Sequence, residues 1–243
     1  MTYLEWPRRV AALGQFRVDR VDEPILDTTS AHHLRKVLRA RPGEEVVVTN
    51  GNGSWAVCVV NDAGLTRVSD VHLDPEPPET SLYLSPLKGD HGDWAIVKAT
   101  EVGVRRVVPL LSQRGVVKVK GESREKLLAR WRRLVAEAAG QCRRTYDVIV
   151  DEPVAVANVP DDVAVCDLGA SGDWRGLSSI AVGPEGGWAN EEWEPTRRRV
   201  GLGPTVLRAE TAGVLGAALL AFQAGGWGFT LNGAEMGNDE STR

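Results

Sequence analysis

Two different periodicities of apolar and polar positions divide the chain. From Glu45 to Thr49 and from Ser54 to Val60 the residues are mostly β-branched, and the two runs are separated by Asn50-Gly51-Asn52-Gly53. Asn and Gly tolerate positive φ, so the arrangement predicts a β-hairpin. One short helical stretch, Ala31 to Ala40, precedes it and is rich in His and Arg. Strands with a single helix predict a small β-barrel. The pattern stops at Asp74-Pro75-Glu76-Pro77-Pro78-Glu79-Thr80, where three prolines in four positions can continue neither a helix nor a central strand. That segment predicts a stiff, extended linker.

Beyond the linker the period alternates between two and 3.6. Strands are predicted at Leu82 to Leu87 and Arg106 to Leu111, with a helix between them at Asp90 to Gly103. A long helix is predicted from Glu122 to Gln141. Leu127, Leu128, Trp131, Leu134, Val135, Ala138 and Cys142 recur along it at helical spacing. Arg124, Lys126, Arg130, Arg132 and Arg133 fall on the opposite face, so burial and basic display use different sides. Further strands are predicted at Val163 to Leu168 and Ser179 to Val182. Asn190 is positioned to cap a helix with Glu191 and Glu192 in its first turn. Ala212 to Ala224 is apolar nearly all round, as in a helix buried on two sides. Such alternation predicts an α/β unit with a mainly parallel sheet covered on both faces. The polar residues from about Leu231 are expected to form a disordered tail.

Composition narrows the setting. The 243 residues allow one large core or two modest ones. No apolar run is long enough to span a bilayer, and Met1 to Arg20 lacks the apolar stretch of a secretory signal. Cys58, Cys142 and Cys166 are odd in number, widely spaced and without a metal-ligand pattern, which fits reduced thiols. A cytoplasmic protein with no membrane and no metal partner is expected. Net charge is −4, yet Arg105 to Arg144 carries twelve Lys or Arg against three Glu. A basic stretch in an acidic chain is either a solvated helix face or a phosphate-facing surface, since clustered cations gain affinity by releasing counterions from a polyanion.

Two glycine-punctuated segments carry the candidate chemistry. Val182-Gly183-Pro184-Glu185-Gly186-Gly187-Trp188 and Gly201-Leu202-Gly203-Pro204-Thr205-Val206-Leu207-Arg208-Ala209-Glu210-Thr211-Ala212 each follow a short apolar run. Glycines without Cβ atoms let a ligand meet main-chain amides and carbonyls directly. Neither segment is a dinucleotide fingerprint, because the third glycine and a placed acidic residue are missing, and no Gly-Lys-Ser/Thr marks a P-loop. By spacing alone, such loops are more often tight turns than a cofactor site.

Together these loops resemble the signature of the SPOUT methyltransferases, and most closely the RsmE-type 16S ribosomal RNA (uracil-N3) methyltransferase family. Further segments extend the resemblance from about residue 16 to residue 224. His33-Leu34-Arg35-Lys36-Val37-Leu38-Arg39 with Pro42-Gly43-Glu44 is similar to the family's RNA-contacting segment. Lys88-Gly89-Asp90 with Lys98-Ala99-Thr100-Glu101-Val102-Gly103-Val104 is similar to its first knot-domain helix. Ser112-Gln113-Arg114 and Glu137-Ala138-Ala139-Gly140-Gln141-Cys142-Arg143-Arg144 match as well. Thr205 stands where many relatives carry Arg, and Gln113 where Glu is common.

The resemblance implies a PUA-like β-barrel over residues 1–74, a linker over 75–80, a SPOUT domain with a C-terminal trefoil knot over 81–230, and a tail over 231–243. It implies a homodimer with the site at the subunit interface. It implies S-adenosyl-L-methionine as cofactor, held by Leu168, Gly183, Pro184, Glu185, Gly186, Gly187, Leu202, Gly203, Leu207 and Thr211. The 16S ribosomal RNA, or the small ribosomal subunit, would be gripped by His33, Arg35, Lys36, Arg39, Arg114, Arg143 and Arg144. The implied reaction is an in-line displacement by uridine N3, with Arg208 stabilising the uracil anion. Glu210 would remove the N3 proton or orient Arg208. A first-turn acidic residue that merely favours its helix is the competing reading of Glu210.

Other residues stay with blander readings. Cys142 falls on an apolar helix face, as a core cysteine does, and N3 methylation needs no covalent nucleophile. His32 and His33 contact phosphate or bases, or do nothing specific. Trp188 and Trp193 are expected to pack against the glycine loop. A non-catalytic RNA-binding assembly factor, and a methyltransferase acting on ribose 2′-OH or transfer RNA, remain the alternatives.

Overall fold

A computed structural model describes residues 6–117 and 119–225. The tail from 231 and the end of the 81–230 unit lie outside the described residues, as does Lys118.

The N-terminal unit contains α1 (Trp6–Ala11), β1 (Gln15–Arg17), α2 (Thr28–His32), β2 (Glu45–Thr49), β3 (Ser54–Asn61), β4 (Gly64–Arg67) and β5 (His72–Leu73). The β2–β3 hairpin pairs Glu45 with Val59 through to Thr49 with Trp55. Alternation along β2 serves two cores: Val46 and Val48 pack with Phe16, Leu34, Ala56 and Cys58, while Val47 packs with Ala12, Trp55 and Val57. The sheet order is β1-β2-β3-β4 with β5 beside β3, and among the described residues no pairing closes it into the expected barrel. With only three and two residues, β1 and β5 are too short to complete a ring of hydrogen bonds.

The helical stretch predicted at 31–40 starts earlier and is irregular. Asp27 caps α2, its carboxylate accepting from Ser30 N at 2.7 Å. Residues His33–Val37 then form a π-helical turn, and Arg39 takes a positive φ of 54°. The widened turn buries Leu34 and leaves His33, Arg35, Lys36 and Arg39 exposed.

Residues 74–80 carry no helix or strand. The second unit contains β6 (Ser81–Leu84), α3 (His91–Glu101), β7 (Arg106–Leu111), α4 (Glu122–Gln141), β8 (Ile149–Val150), β9 (Val154–Ala155), β10 (Ala164–Cys166), β11 (Ser179–Val182), β12 (Arg199–Val200) and α5 (Ala209–Gln223). Its sheet is parallel throughout, in the order β12-β10-β11-β6-β7-β8, with β9 also beside β7. One face packs Leu82, Leu84, Ile180 and Val182 against Ile96 of α3, Trp131 and Val135 of α4, and Leu220 of α5. The other face, expected to carry helices, is covered by loops instead. Trp193 and Trp188 close over Val165, Ala181 and Tyr83, with the short helical turn Val156–Asn158 beside them.

No helix follows Asn190. Residues 189–197 form successive turns, and Glu191 has a φ of 62°, outside the right-handed helical region. Glu192 folds back so that its carboxylate accepts from the backbone N–H groups of Ala189 and Gln113. Pro195 also falls where a helix begun after Asn190 would need a backbone donor. Burial of Trp193, with its ring edge-on to Trp188 at 5.1 Å, holds this loop in place.

A polar joint ties the two units. Asp74 accepts from Arg9 at 2.7 Å, Thr145 Oγ1 at 2.8 Å and the Trp55 indole at 2.9 Å. Burial pushes the Asp74 carboxyl up, but the Thr145 and Arg9 hydrogen bonds, the Arg9 charge and the Trp55 indole together outweigh it and hold it below its ordinary value. The hairpin turn docks on residues 145–147, with Asp147 N donating to Gly51 O at 2.9 Å and Gly53 N to Thr145 O at 3.0 Å. A Cβ at Gly51 would overlap the Asp147 carboxylate, so the turn needs glycine for contact as well as for φ.

Candidate functional site

Strands β10, β11 and β12 all end at the same edge of the sheet, and the loops leaving their C-terminal ends surround a cavity of about 950 Å³. Ligands of open parallel sheets bind outside the carboxyl ends of the strands. The loop after β10 supplies Asp167 and Leu168, the loop after β11 supplies Gly183 to Gly187, and the loop after β12 supplies Leu202, Gly203 and Leu207. Arg208 and Glu210 line it at the start of α5. Thr211, expected beside the cofactor, is exposed and absent from the lining, because the next helical position turns away from the one Glu210 occupies.

Close backbone packing builds these walls. The segment after β10 lies so near the segment after β12 that a Cβ on Gly201 would overlap the Ala170 carbonyl oxygen. The Trp174 indole donates to Gly201 O at 3.0 Å and the Trp188 indole to Cys166 O at 2.9 Å. Gly203, at φ 116°, turns the chain toward α5 in a conformation that disfavours other residues. Leu168 and Val206 are exposed at the rim, an apolar surface over polar backbone.

Charge at the cavity is distributed unevenly. Arg199 pairs with Asp167 across β12 and β10. The Glu185 carboxylate accepts from Lys88 N at 3.0 Å, so it fixes the entry to α3. Arg114 donates to Gly186 O at 3.1 Å. Arg208 is exposed and makes no hydrogen bond or ion pair through its side chain among the described residues. His91, the first residue of α3, lies with Nδ1 3.2 Å from Glu210 Oε1. Burial raises the Cys166 thiol to about 12, which keeps it from acting as a thiolate. Cys142 is half-buried and its thiol is also raised by burial.

His91, Asp167 and Arg199 do not stand out in the sequence. The motif Lys88-Gly89-Asp90 ends one residue before His91, which was the available signal. Asp167 and Arg199 meet only through strand pairing.

The basic residues separate into two groups. On α4 every member of the basic face has an acidic partner: Arg124 and Arg132 pair with Glu152, Lys126 with Glu122, Arg130 with Asp93 and Arg133 with Glu137. Arg143 and Arg144 turn inward. Arg143 donates to Ala12 O at 2.6 Å, and Arg144 to Thr100 O at 2.9 Å and Val104 O at 2.8 Å. Thr100 O also accepts from Gly103 N at 3.2 Å, so Arg144 adds a second donor there, and both guanidiniums are engaged within the chain. By contrast, Arg35, Lys36 and Arg39 are exposed and form no ion pair among the described residues. His33 is exposed beside them, its ring edge-on to Phe16 at 6.1 Å.

Among the described residues no group of His, Cys, Asp or Glu is arranged to hold a metal ion, and no helix is long and apolar enough to cross a membrane.

A parallel sheet with a cavity at its carboxyl edge, joined to a small strand-rich unit, is the architecture of an RNA methyltransferase with a PUA domain. The family model for the RNA methyltransferase domain matches residues 74–221, and that for the RNA methyltransferase PUA domain matches residues 26–69. Ribosomal RNA small subunit methyltransferase E of Mycobacterium bovis is 32% identical over 232 residues, spanning 84% of this chain and 87% of that protein. The Bacillus subtilis protein of the same name is 28% identical over 222 residues, spanning 79% and 87%. The crystal structure of ribosomal RNA small subunit methyltransferase E from Neisseria gonorrhoeae, bound to S-adenosyl methionine, superposes with a TM-score of 0.71 at 26% identity over 86% of this chain and 97% of that one. A putative methyltransferase from Legionella pneumophila, also solved with bound SAM, gives 0.73 at 25% identity over 85% and 96%. The chain belongs to the ribosomal RNA small subunit methyltransferase E family.

Proposed function

We propose that the chain transfers a methyl group from S-adenosyl-L-methionine to N3 of a uridine in the 16S ribosomal RNA of the small ribosomal subunit. The observation that carries this reading is the convergence of three loops, rich in open backbone, on one cavity whose rim holds a cation without a partner. A volume of about 950 Å³ admits an adenosyl amino acid. Leu168, Leu202 and Leu207 offer apolar contact for a base and ribose, and the main chain of Gly183 to Gly187 and Gly203 offers polar groups. When bound, the cofactor supplies an activated methyl on a sulfonium.

The chain's own task is alignment and charge. A neutral uracil N3 carries a proton and is a poor nucleophile, so the site must take that proton and stabilise the resulting anion. Arg208 is suited to the second task, because its guanidinium is not committed elsewhere and can meet a uracil carbonyl oxygen as negative charge develops. Arg114, anchored on Gly186 O, and the exposed His33, Arg35, Lys36 and Arg39 are the proposed RNA contacts. A target base within folded RNA must be splayed from its stack to enter.

Division into a 1–74 RNA-gripping domain, a linker over 75–80 and an 81–230 catalytic domain belongs to this reading. So do a homodimer with the site at the subunit interface, a trefoil knot and a cytoplasmic location. The knot proposal draws on the close backbone packing of the segments around Gly172 and Gly201 and on the packing of α5 against the sheet, where Gly213 and Gly216 abut Leu84 and Ile180.

Calorimetry tests the cavity assignment. A Cβ at Gly186 would meet Arg114 at 3.6 Å, an ordinary contact, so Gly186→Trp is expected to crowd the cavity mouth without straining the backbone. The intact chain is expected to bind S-adenosyl-L-methionine and the variant to bind it on the order of a hundredfold more weakly. Absence of binding to the intact chain would contradict the reading.

A further inference from the structure

We propose that His91 is the proton acceptor for uridine N3 and that Glu210 is its positioning residue, a refinement that rests on the methyltransferase reading above. The pair joins the first residue of α3 to the first turn of α5, and both residues line the cavity. Glu210 is nearly covered, with its side chain 12% exposed, whereas His91 is 47% exposed. A carboxylate 3.2 Å from Nδ1 favours the tautomer that carries its proton there. Nε2 then bears the lone pair, and no hydrogen bond reaches it among the described residues. An oriented imidazole backed by a carboxylate is the arrangement a general base requires.

The other titratable groups of the cavity are less suited. Asp167 is paired with Arg199, and Glu185 accepts from Lys88 N. Cys166 is held as a thiol. Glu191 sits on the exposed outer loop with no second group to orient it. Glu210 faces His91, which makes it a positioning residue for the imidazole rather than for Arg208.

In the step, the N3–H bond breaks toward Nε2, whose lone pair takes the proton. The electron pair left on N3 forms the bond to the methyl carbon, and the carbon–sulfur pair departs onto sulfur. The imidazolium formed faces the Glu210 carboxylate and afterwards loses its proton to solvent. The charged groups around His91 are Lys88 and Asp90 before α3, Asp93 on α3 paired with Arg130 of α4, Glu185 after β11, Arg114 after β7, and Arg208 and Glu210 at α5.

The test uses the full chain with 16S ribosomal RNA and S-adenosyl-L-methionine. His91→Ala and His91→Asn are expected to lower the methyl-transfer rate by about a hundredfold or more while calorimetric cofactor affinity stays within about threefold. Added imidazole should restore part of the His91→Ala rate, and that variant should lose the limb of the pH–rate profile that requires a neutral imidazole. Glu210→Ala should cost on the order of tenfold, because a half-exposed ring still samples the working tautomer. Independently of activity, ¹⁵N NMR of the labelled imidazole should show the Nδ1–H tautomer in the parent and its loss in Glu210→Ala. A His91→Ala enzyme with parental rate and pH profile would overturn the proposal, as would a loss that imidazole does not rescue together with an unchanged tautomer in Glu210→Ala. If the parent binds no cofactor, or places the methyl elsewhere than N3, the wider reading falls first and this one with it.

Discussion

Helix α4 and the turn at residues 33–39 are both basic, but they use their charge differently. The α4 cations outnumber those of the turn, and each is matched by Glu122, Glu137, Glu152 or Asp93. At the turn, Arg35, Lys36 and Arg39 face solvent without ion pairs among the described residues. A polyanion gains most from cations that need not abandon an existing partner. Local charge count and uncommitted charge therefore point to different surfaces, and the proposed RNA contact follows the uncommitted charge. The same distinction holds elsewhere: Arg9 and Arg143 are engaged at the joint and Arg144 beside the end of α3, while Arg208 is left open at the cavity.

Removing committed charge should cost stability, and removing uncommitted charge should cost function. The largest effect is expected at the joint. Asp74→Asn leaves fewer acceptor sites for three donors and removes the counter-charge of a buried guanidinium, at about 3 kcal/mol, or a melting temperature lower by about 10 °C in a thermal melt. The pH dependence has a definite sign. The folded-state pKa of Asp74 is depressed, so its contribution is complete above the ordinary carboxylate value and is lost as pH falls through the folded one. Melts of the parent should therefore decline more steeply below about pH 4 than those of Asp74→Asn.

Next comes the turn. Replacing Arg35, Lys36 and Arg39 together by Gln should weaken RNA binding by about ten- to a hundredfold and flatten its salt dependence by about two to three units of slope, with little change in melting temperature. Smallest is α4, where Arg124→Gln with Arg132→Gln and Arg133→Gln should change stability by roughly 0.5 kcal/mol or less and RNA affinity by less than about twofold. Equal losses of RNA affinity in the two triple variants would break the comparison.

Much of the fold was legible in the sequence because single elements obey local rules. The β-branched run at 45–49, the apolar run at 106–111 and the 3.6 period of 122–141 gave strands and a helix at those positions. The helix expected after Asn190 failed on a signal that was present, since Pro195 forbids it and Trp193 draws the segment into the core. The partners of Arg124, Arg130 and Arg132 were not legible, because Glu152 and Asp93 reach α4 only through tertiary packing. In the candidate site, the glycine loops marked the cavity from their sequence, as did Arg208 and Glu210. His91 did not stand out, since its chemistry comes from meeting Glu210 more than a hundred residues away.

The central claim is tested most directly by locating the transferred methyl. Unmethylated small subunits or 16S ribosomal RNA, incubated with the chain and methyl-labelled S-adenosyl-L-methionine, would be digested to nucleosides and resolved by mass spectrometry. The account predicts label on uridine N3 alone, strongly reduced in Gly186→Trp at cofactor concentrations that saturate the parent. Label on a ribose 2′-OH, or none despite bound cofactor, would contradict it.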